Sequence, residues 1–211
     1  AEDDRVYQTA EDLLGPGFAW VGSDGNYYVG DTGWHSDGYV DRKYMSIKMA
    51  FYLDSVTKDT GCLRVIPGSH KVGDRFAEMI HEAAPTSKLN QTEDLWGTSG
   101  SEVPALALET QPGDLLIFNH STKHASFGGG VRRRMFTVNL QKRHADGDLD
   151  DLRNDISTIA RFWHERAYGD TMLRTANPER MVHLEQRLAN DGHLPELVRK
   201  AKEEMSEPAR G

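Results

Sequence analysis

The chain changes character near residue 145. Ahead of that point Gly and Pro cut it into short apolar or alternating runs; beyond it apolar residues return every three or four positions. A period of two makes a strand with one face inside, and a return at three and four makes a helix. Residues 18–21 and 27–29, on either side of Gly22-Ser23-Asp24-Gly25, read as a hairpin. Residues 44–53, 63–66, 105–108, 115–118 and 135–140 are further strands, with Pro112-Gly113-Asp114 as the turn between the third and fourth of these. Past them, Leu149, Leu152, Ile156, Ile159 and Trp163 share a helical stripe, Asn177-Pro178-Glu179 forms a cap, and Leu194, Leu197, Val198, Ala201 and Met205 mark another helix. Strands followed by helices predict one mainly β domain with added helices, an antiparallel barrel or sandwich carrying a C-terminal helical segment at 149–206. The stretch 75–102, partly helical and then polar, is an insertion between strands and is expected to act as a lid.

Charge narrows the function. The 211 residues hold 25 Lys and Arg against 33 Asp and Glu, a formal net charge of −8. Such a surface has no electrostatic basis for gripping a phosphate backbone, so the expected partner is a small molecule and not nucleic acid. No run of about 18 apolar residues occurs, so no membrane partner is expected. Cys62 stands alone and no basic-then-apolar leader opens the chain, which leads to the expectation of a cytoplasmic protein. Oligomeric state is left open.

Nine histidines are a generous number. His35-Ser36-Asp37 sets an imidazole and a carboxylate on the same side of an extended chain. With a distant second His they could hold a metal by one face and leave positions open, the arrangement of non-haem Fe(II) oxygenases. About one His-x-Asp arises by chance in a chain of this make-up, so the tripeptide needs context. That context follows at Gln111-Pro112-Gly113-Asp114, a turn feeding an apolar strand with His120 and His124 beyond its end. Gly128-Gly129-Gly130 then permits a reversal into Arg132-Arg133-Arg134 and the closing strand.

Together Trp34-His35-Ser36-Asp37-Gly38, Phe51-Tyr52-Leu53-Asp54, Gly61-Cys62-Leu63-Arg64-Val65-Ile66-Pro67-Gly68-Ser69-His70 and the Pro-Gly-Asp strand running on to His124 resemble the phytanoyl-CoA dioxygenase family. The resemblance spans about residues 17–141. It implies a double-stranded β-helix of the jelly-roll or cupin-like kind, dependence on Fe(II), 2-oxoglutarate and O2, and metal ligands His35, Asp37 and a distal His. It also implies an Arg on the last strand for the far carboxylate of 2-oxoglutarate. The family follows its distal ligand with a small residue and often Ser, so His124-Ala125-Ser126 fits better than His120, which is expected to be a structural neighbour. Ser126 is expected to help bind the same carboxylate. The family often carries an Asn in the loop where Gly128 to Gly130 stand. Its members usually have helices and a first strand ahead of the region that begins here near Phe18, so the N-terminal part is expected to be reduced or absent from the chain.

Strand alternation then chooses among the arginines. Arg133, Met135, Thr137 and Asn139 share a polar face suited to a wet interior, whereas Arg134, Phe136, Val138 and Leu140 share an apolar one. Arg133 is therefore expected to be the anchor, with Arg134 next. On residues 44–53, Tyr44, Ser46, Lys48, Ala50 and Tyr52 form a pocket wall, on which Lys48 either meets an anionic group or is simply solvated. His70 is expected to be structural, and His81, His144, His164, His183 and His193 to do no chemistry. The implied reaction is hydroxylation of a C–H bond with release of succinate and CO2. Related halogenases lack the carboxylate that Asp37 supplies, and desaturation uses the same ligands as hydroxylation. Arg42, Lys43 and Lys48 suggest an anionic or zwitterionic substrate. The alternatives are a cupin-like metalloenzyme that does not use 2-oxoglutarate, a nucleic-acid demethylase on the same barrel, and a non-catalytic binding module.

Overall fold

A computed structural model describes residues 3–28, 30–39, 41–83, 97–130 and 133–209. The chain divides into two compact units, Val21–Gln141 and a second made of Ala1–Trp20 with Lys142–Gly211.

The first unit holds two four-stranded sheets. Its strands are β1 (Ala19–Tyr28), β2 (Thr32–His35), β3 (Ser46–Tyr52), β4 (Leu63–Val65), β5 (Leu106–Leu108), β6 (Leu115–Asn119), β7 (His124–Ser126) and β8 (Arg133–Gln141). One sheet runs β1-β8-β3-β6 and the other β2-β7-β4-β5. The pairings of β3 with β6 and β8, of β7 with β2 and β4, and of β4 with β5 are antiparallel. The turn at Pro112-Gly113-Asp114 therefore does not close a hairpin; it carries the chain from one sheet to the other.

Three expectations change. Residues 18–29 do not form a hairpin, because β1 runs unbroken through Gly22-Ser23-Asp24-Gly25. Neither glycine adopts a positive φ, and the segment is used as one long strand beside β8, with Asp24 accepting a hydrogen bond from Thr137 Oγ1 at 3.3 Å. Val29, the end of that expected hairpin, lies outside the described residues. Two strands were missed altogether, β2 and β7, of four and three residues. Runs so short show no period of their own. Finally, the described parts of the 75–102 insertion do not cover a site between the sheets. Helix α2 (Arg75–Ala83) and the turn at Gly100–Glu102 pack on the back of the second sheet, where Trp34, Ile66 and Ala125 are buried with Ile80, Val103 and Phe127. Trp34 and Ala125 are the chain neighbours of His35 and His124, so this cluster lies on the opposite face from those imidazoles. Residues 84–96 of the insertion lie outside the described residues.

The second unit is helical. Helix α1 (Asp4–Leu14), which the sequence reading did not foresee, begins at Asp3, whose carboxylate accepts from the Arg5 backbone N–H at 3.0 Å. Helix α3 (Leu149–Ser157) tightens into a 3-10 turn over Thr158–Phe162 and stops at Trp163 (φ 61). The Asn177 cap leads only into the short α5 (Pro178–Met181), which follows α4 (Asp170–Thr175) and precedes α6 (Glu185–Leu188) and α7 (Leu194–Glu204). Leu152, Ile156, Ala160, Leu194 and Val198 form the buried centre. Around it, Arg187 pairs with Asp155 at 2.9 Å and His144 with Asp151 at 3.3 Å. No helix among the described residues is long and apolar enough to cross a membrane.

The reversal between β7 and β8 depends on Gly128. Its φ is +83°, and a Cβ there would lie 2.5 Å from the Asp59 carbonyl oxygen. Left-handed backbone combined with a clash against main chain leaves no cheap relaxation. Gly128→Ala is expected to lower unfolding free energy by about 2 kcal/mol or more, read by urea denaturation.

Candidate metal centre

His35 ends β2 and His124 begins β7, and antiparallel pairing sets the two directly opposite each other. Their ring centroids lie 4.2 Å apart. Each imidazole is oriented by the carbonyl two residues before it: His35 Nδ1 donates to Gly33 O at 2.8 Å and His124 Nδ1 to Thr122 O at 2.9 Å. A carbonyl only accepts, so the proton sits on Nδ1 and each neutral ring presents the Nε2 lone pair. Asp37, two residues past β2, is turned back by its own N–H and that of Gly38, which donate to the His120 carbonyl at 2.9 and 3.1 Å. Its oxygens face His35 Nε2 at 3.9 Å and His124 Nε2 at 3.6 Å. One donor atom from each of the three falls within 4.8 Å of the others. Two imidazole nitrogens and one carboxylate oxygen on one side of a space suit a divalent transition metal with positions left open. Backbone carbonyls fixing both Nδ1 atoms are the usual support of such ligands.

Electrostatics agree with that reading. Burial pushes His124 down to about 3, against the pull of the Asp37 carboxylate, so it is neutral and needs to lose no proton to bind a metal. Burial would raise the Asp37 carboxyl, but the Lys48 ammonium, with His124 and His120, outweighs it and holds the group well below the usual carboxylate range. Lys48 Nζ lies 2.7 Å from Asp37 Oδ2. The sequence left Lys48 between an anion contact and a solvated side chain; here it reaches the centre from the inner face of β3.

The competing His120 is not brought to the triad as a ligand. Its Nε2 meets Asn139 Oδ1 at 3.1 Å, while its backbone holds the Asp37 loop. Burial lowers it to about 4, with Lys48 and Arg42 acting the same way. Behind the triad, Lys123 is fully buried and its ammonium donates to Ser36 Oγ at 3.3 Å, joining the two ligand-bearing segments; nothing in its sequence context marked it. His81 Nε2 faces the Ser69 and Ser121 carbonyls, His183 donates to Phe18 O, and His193 meets Ser157.

The two arginines part as strand alternation requires. Arg133 is buried, and its Nη1 donates to Ser126 Oγ and to the Gly61 carbonyl, to which Ser126 also donates at 2.9 Å. Gly61 (φ +94) is a cradle, because a Cβ there would lie 3.0 Å from Arg133 Nη1. Arg134 points outwards and grips Asp54 through Nε and Nη2. Of its apolar companions, Leu140 is buried, whereas Phe136 is 40% exposed and stacks on Phe51 with centroids 4.4 Å apart. Arg132 lies outside the described residues.

The model of the family Phytanoyl-CoA dioxygenase (PhyH) matches residues 6–135. The chain belongs to this family. Among curated relatives, "Dioxygenase lolE1" of Epichloe uncinata is 30% identical over 146 residues, 64% of this chain and 52% of that protein. The chain thus spans about half the length of the curated relative it matches. Among solved structures, EctD from S. alaskensis with 2-oxoglutarate and 5-hydroxyectoine is 24% identical, covers 66% of this chain and 50% of that one, and has a TM-score of 0.47. EvdO2 from Micromonospora carbonacea var. aurantiaca, complexed with 2-oxoglutarate, is 18% identical over 67% of this chain and 60% of that one, with a TM-score of 0.45.

Two outcomes follow. Ala substitution of His35, Asp37 or His124 is expected to abolish stoichiometric Fe(II) binding under nitrogen, whereas His120→Ala retains it; metal content after desalting reads this. For the metal-free protein, both buried imidazoles have folded pKa values below the unfolded value of 6.5. The unfolded chain then binds the protons first, so stability falls as pH drops from about 6.5 towards 4. His120→Gln is expected to flatten that fall by roughly 3 kcal/mol at most, measured by denaturation across the pH series.

Proposed function

We propose that this chain provides the catalytic core of an Fe(II)- and 2-oxoglutarate-dependent dioxygenase that hydroxylates a C–H bond of a small organic molecule, releasing succinate and CO2. The observation that carries it is the pairing of a His–Asp–His donor set with a buried arginine beside a serine in the same unit. In this reading the two sheets are wound as a double-stranded β-helix, whose strand order β1-β8-β3-β6 and β2-β7-β4-β5 supports it. Membership of the family supports the same conclusion, as does the relative named a dioxygenase.

His35 Nε2, His124 Nε2 and the Asp37 carboxylate would hold the metal. When bound, iron with 2-oxoglutarate and O2 supplies the oxidising power that the amino acids lack. The chain's own residues bind and orient. The Arg133 guanidinium matches a carboxylate by its planar fork, and Ser126 Oγ beside it can turn its proton to the same group. Phe118, packed on the His124 ring at 5.0 Å, keeps water from that side of the imidazole. Asp37 fills the position by which a hydroxylating centre differs from one that leaves room for a halide.

Succinate formed from 2-oxoglutarate tests this. Arg133→Ala is expected to raise the KM for 2-oxoglutarate by about ten- to a hundredfold, the loss of a charged hydrogen-bonded contact, whereas Arg134→Ala leaves it unchanged. Unchanged kinetics in Arg133→Ala would favour a metalloenzyme that does not use 2-oxoglutarate.

A further inference from the structure

Away from Arg133 along the strands, two more cations meet on the inner face of the first sheet. Lys48 lies opposite Asn139 of β8, six residues from Arg133, or about 20 Å along the strand. Arg42, from the connection between β2 and β3, places Nη1 3.0 Å from Ser46 Oγ. Ser46 and Lys48 share a face of β3, so the guanidinium and the ammonium belong to one patch. Gly38 lies against the same patch, where a Cβ would come into ordinary contact with His120 Cβ at 3.5 Å and Arg42 Nη1 at 3.7 Å.

Lys48 now balances Asp37, at the same Oδ2 that faces His124 Nε2. A divalent cation held by the triad claims that carboxylate and repels the ammonium. Lys48 then needs another anion, and Arg42 stands beside it with the fork that suits a carboxylate. The far carboxylate of 2-oxoglutarate is already accounted for by Arg133 and Ser126. We propose that Lys48 and Arg42 form a subsite for a carboxylate of the primary substrate, which is therefore a small organic acid. This rests on the oxygenase reading above. Asp24, accepting from Thr137 one step nearer Arg133, is an acidic neighbour on the same face, so an amino acid suits the patch as well as a hydroxy acid.

The test uses the Fe(II)- and 2-oxoglutarate-loaded chain under nitrogen, titrated calorimetrically with a panel of amino and hydroxy acids, each paired with its primary amide. At least one acid is expected to bind about tenfold or more tightly than its amide, and Lys48→Gln and Arg42→Gln each to erase that preference. Both variants keep 2-oxoglutarate affinity, and Lys48→Gln binds Fe(II) at least as tightly as the parent because the competing ammonium is gone. Circular dichroism checks that each variant is folded, and either variant alone suffices. A parent that prefers no acid to its amide, or variants that keep the preference, overturn the proposal. Variants that lose 2-oxoglutarate instead overturn it too, by giving these cations to the cosubstrate. A parent that binds neither Fe(II) nor 2-oxoglutarate fails at the earlier step and takes the oxygenase reading down with the subsite.

Discussion

The antiparallel pairing of β2 with β7 is the constraint on which the rest of the centre depends. It sets His35 directly across from His124, although 88 intervening residues separate them in the chain. Opposed side chains on one face of such a pair stand about 5 Å apart, close enough for two imidazoles to share one ion. β7 lies between β2 and β4, so its position is fixed from both sides. Asp37 is then added by backbone hydrogen bonds to the His120 carbonyl, just ahead of β7. Main-chain hydrogen bonds therefore position all three ligand-bearing residues, the kind of support that keeps a site from loosening.

Charge is arranged locally against the average. The chain is acidic as a whole, yet Lys48 and Arg133 both point from the inner face of one sheet, and Arg42 reaches Ser46 on that face from the connection ahead of β3. A carboxylate drawn part-way out of water without a partner would be costly, and Lys48 offsets that cost where no metal is bound. The same ammonium becomes available for an anion once a metal takes over Asp37. One residue thus serves the folded protein and the loaded site in turn.

Much of the centre was legible because its residues fall in short motifs and on strands long enough to alternate. His35 and Asp37 come from one tripeptide. Arg133 was separated from Arg134 by counting faces along 133–140, and the structure buries the one and pairs the other with Asp54 outside. Strands β3 and β8, of seven and nine residues, show their period plainly. β2 and β7 do not, since a run of three or four residues carries at most two positions per face. Gly22 and Gly25 looked like a turn because glycine permits one, but permission is not a requirement, and pairing with β8 drew them straight.

Amino-acid order by itself determined the kinds of group available: two imidazoles and a carboxylate for a metal, an arginine and a serine for a carboxylate, and a change from strand to helix near residue 145. Tertiary structure decided which of these meet. It brought Lys48 to Asp37 and gave His120 to Asn139 instead of the triad. It also laid the described parts of the insertion on the back of a sheet. The reason is physical: local sequence sets the period of a segment, whereas contacts between segments far apart in the chain depend on which strands pair and in what register.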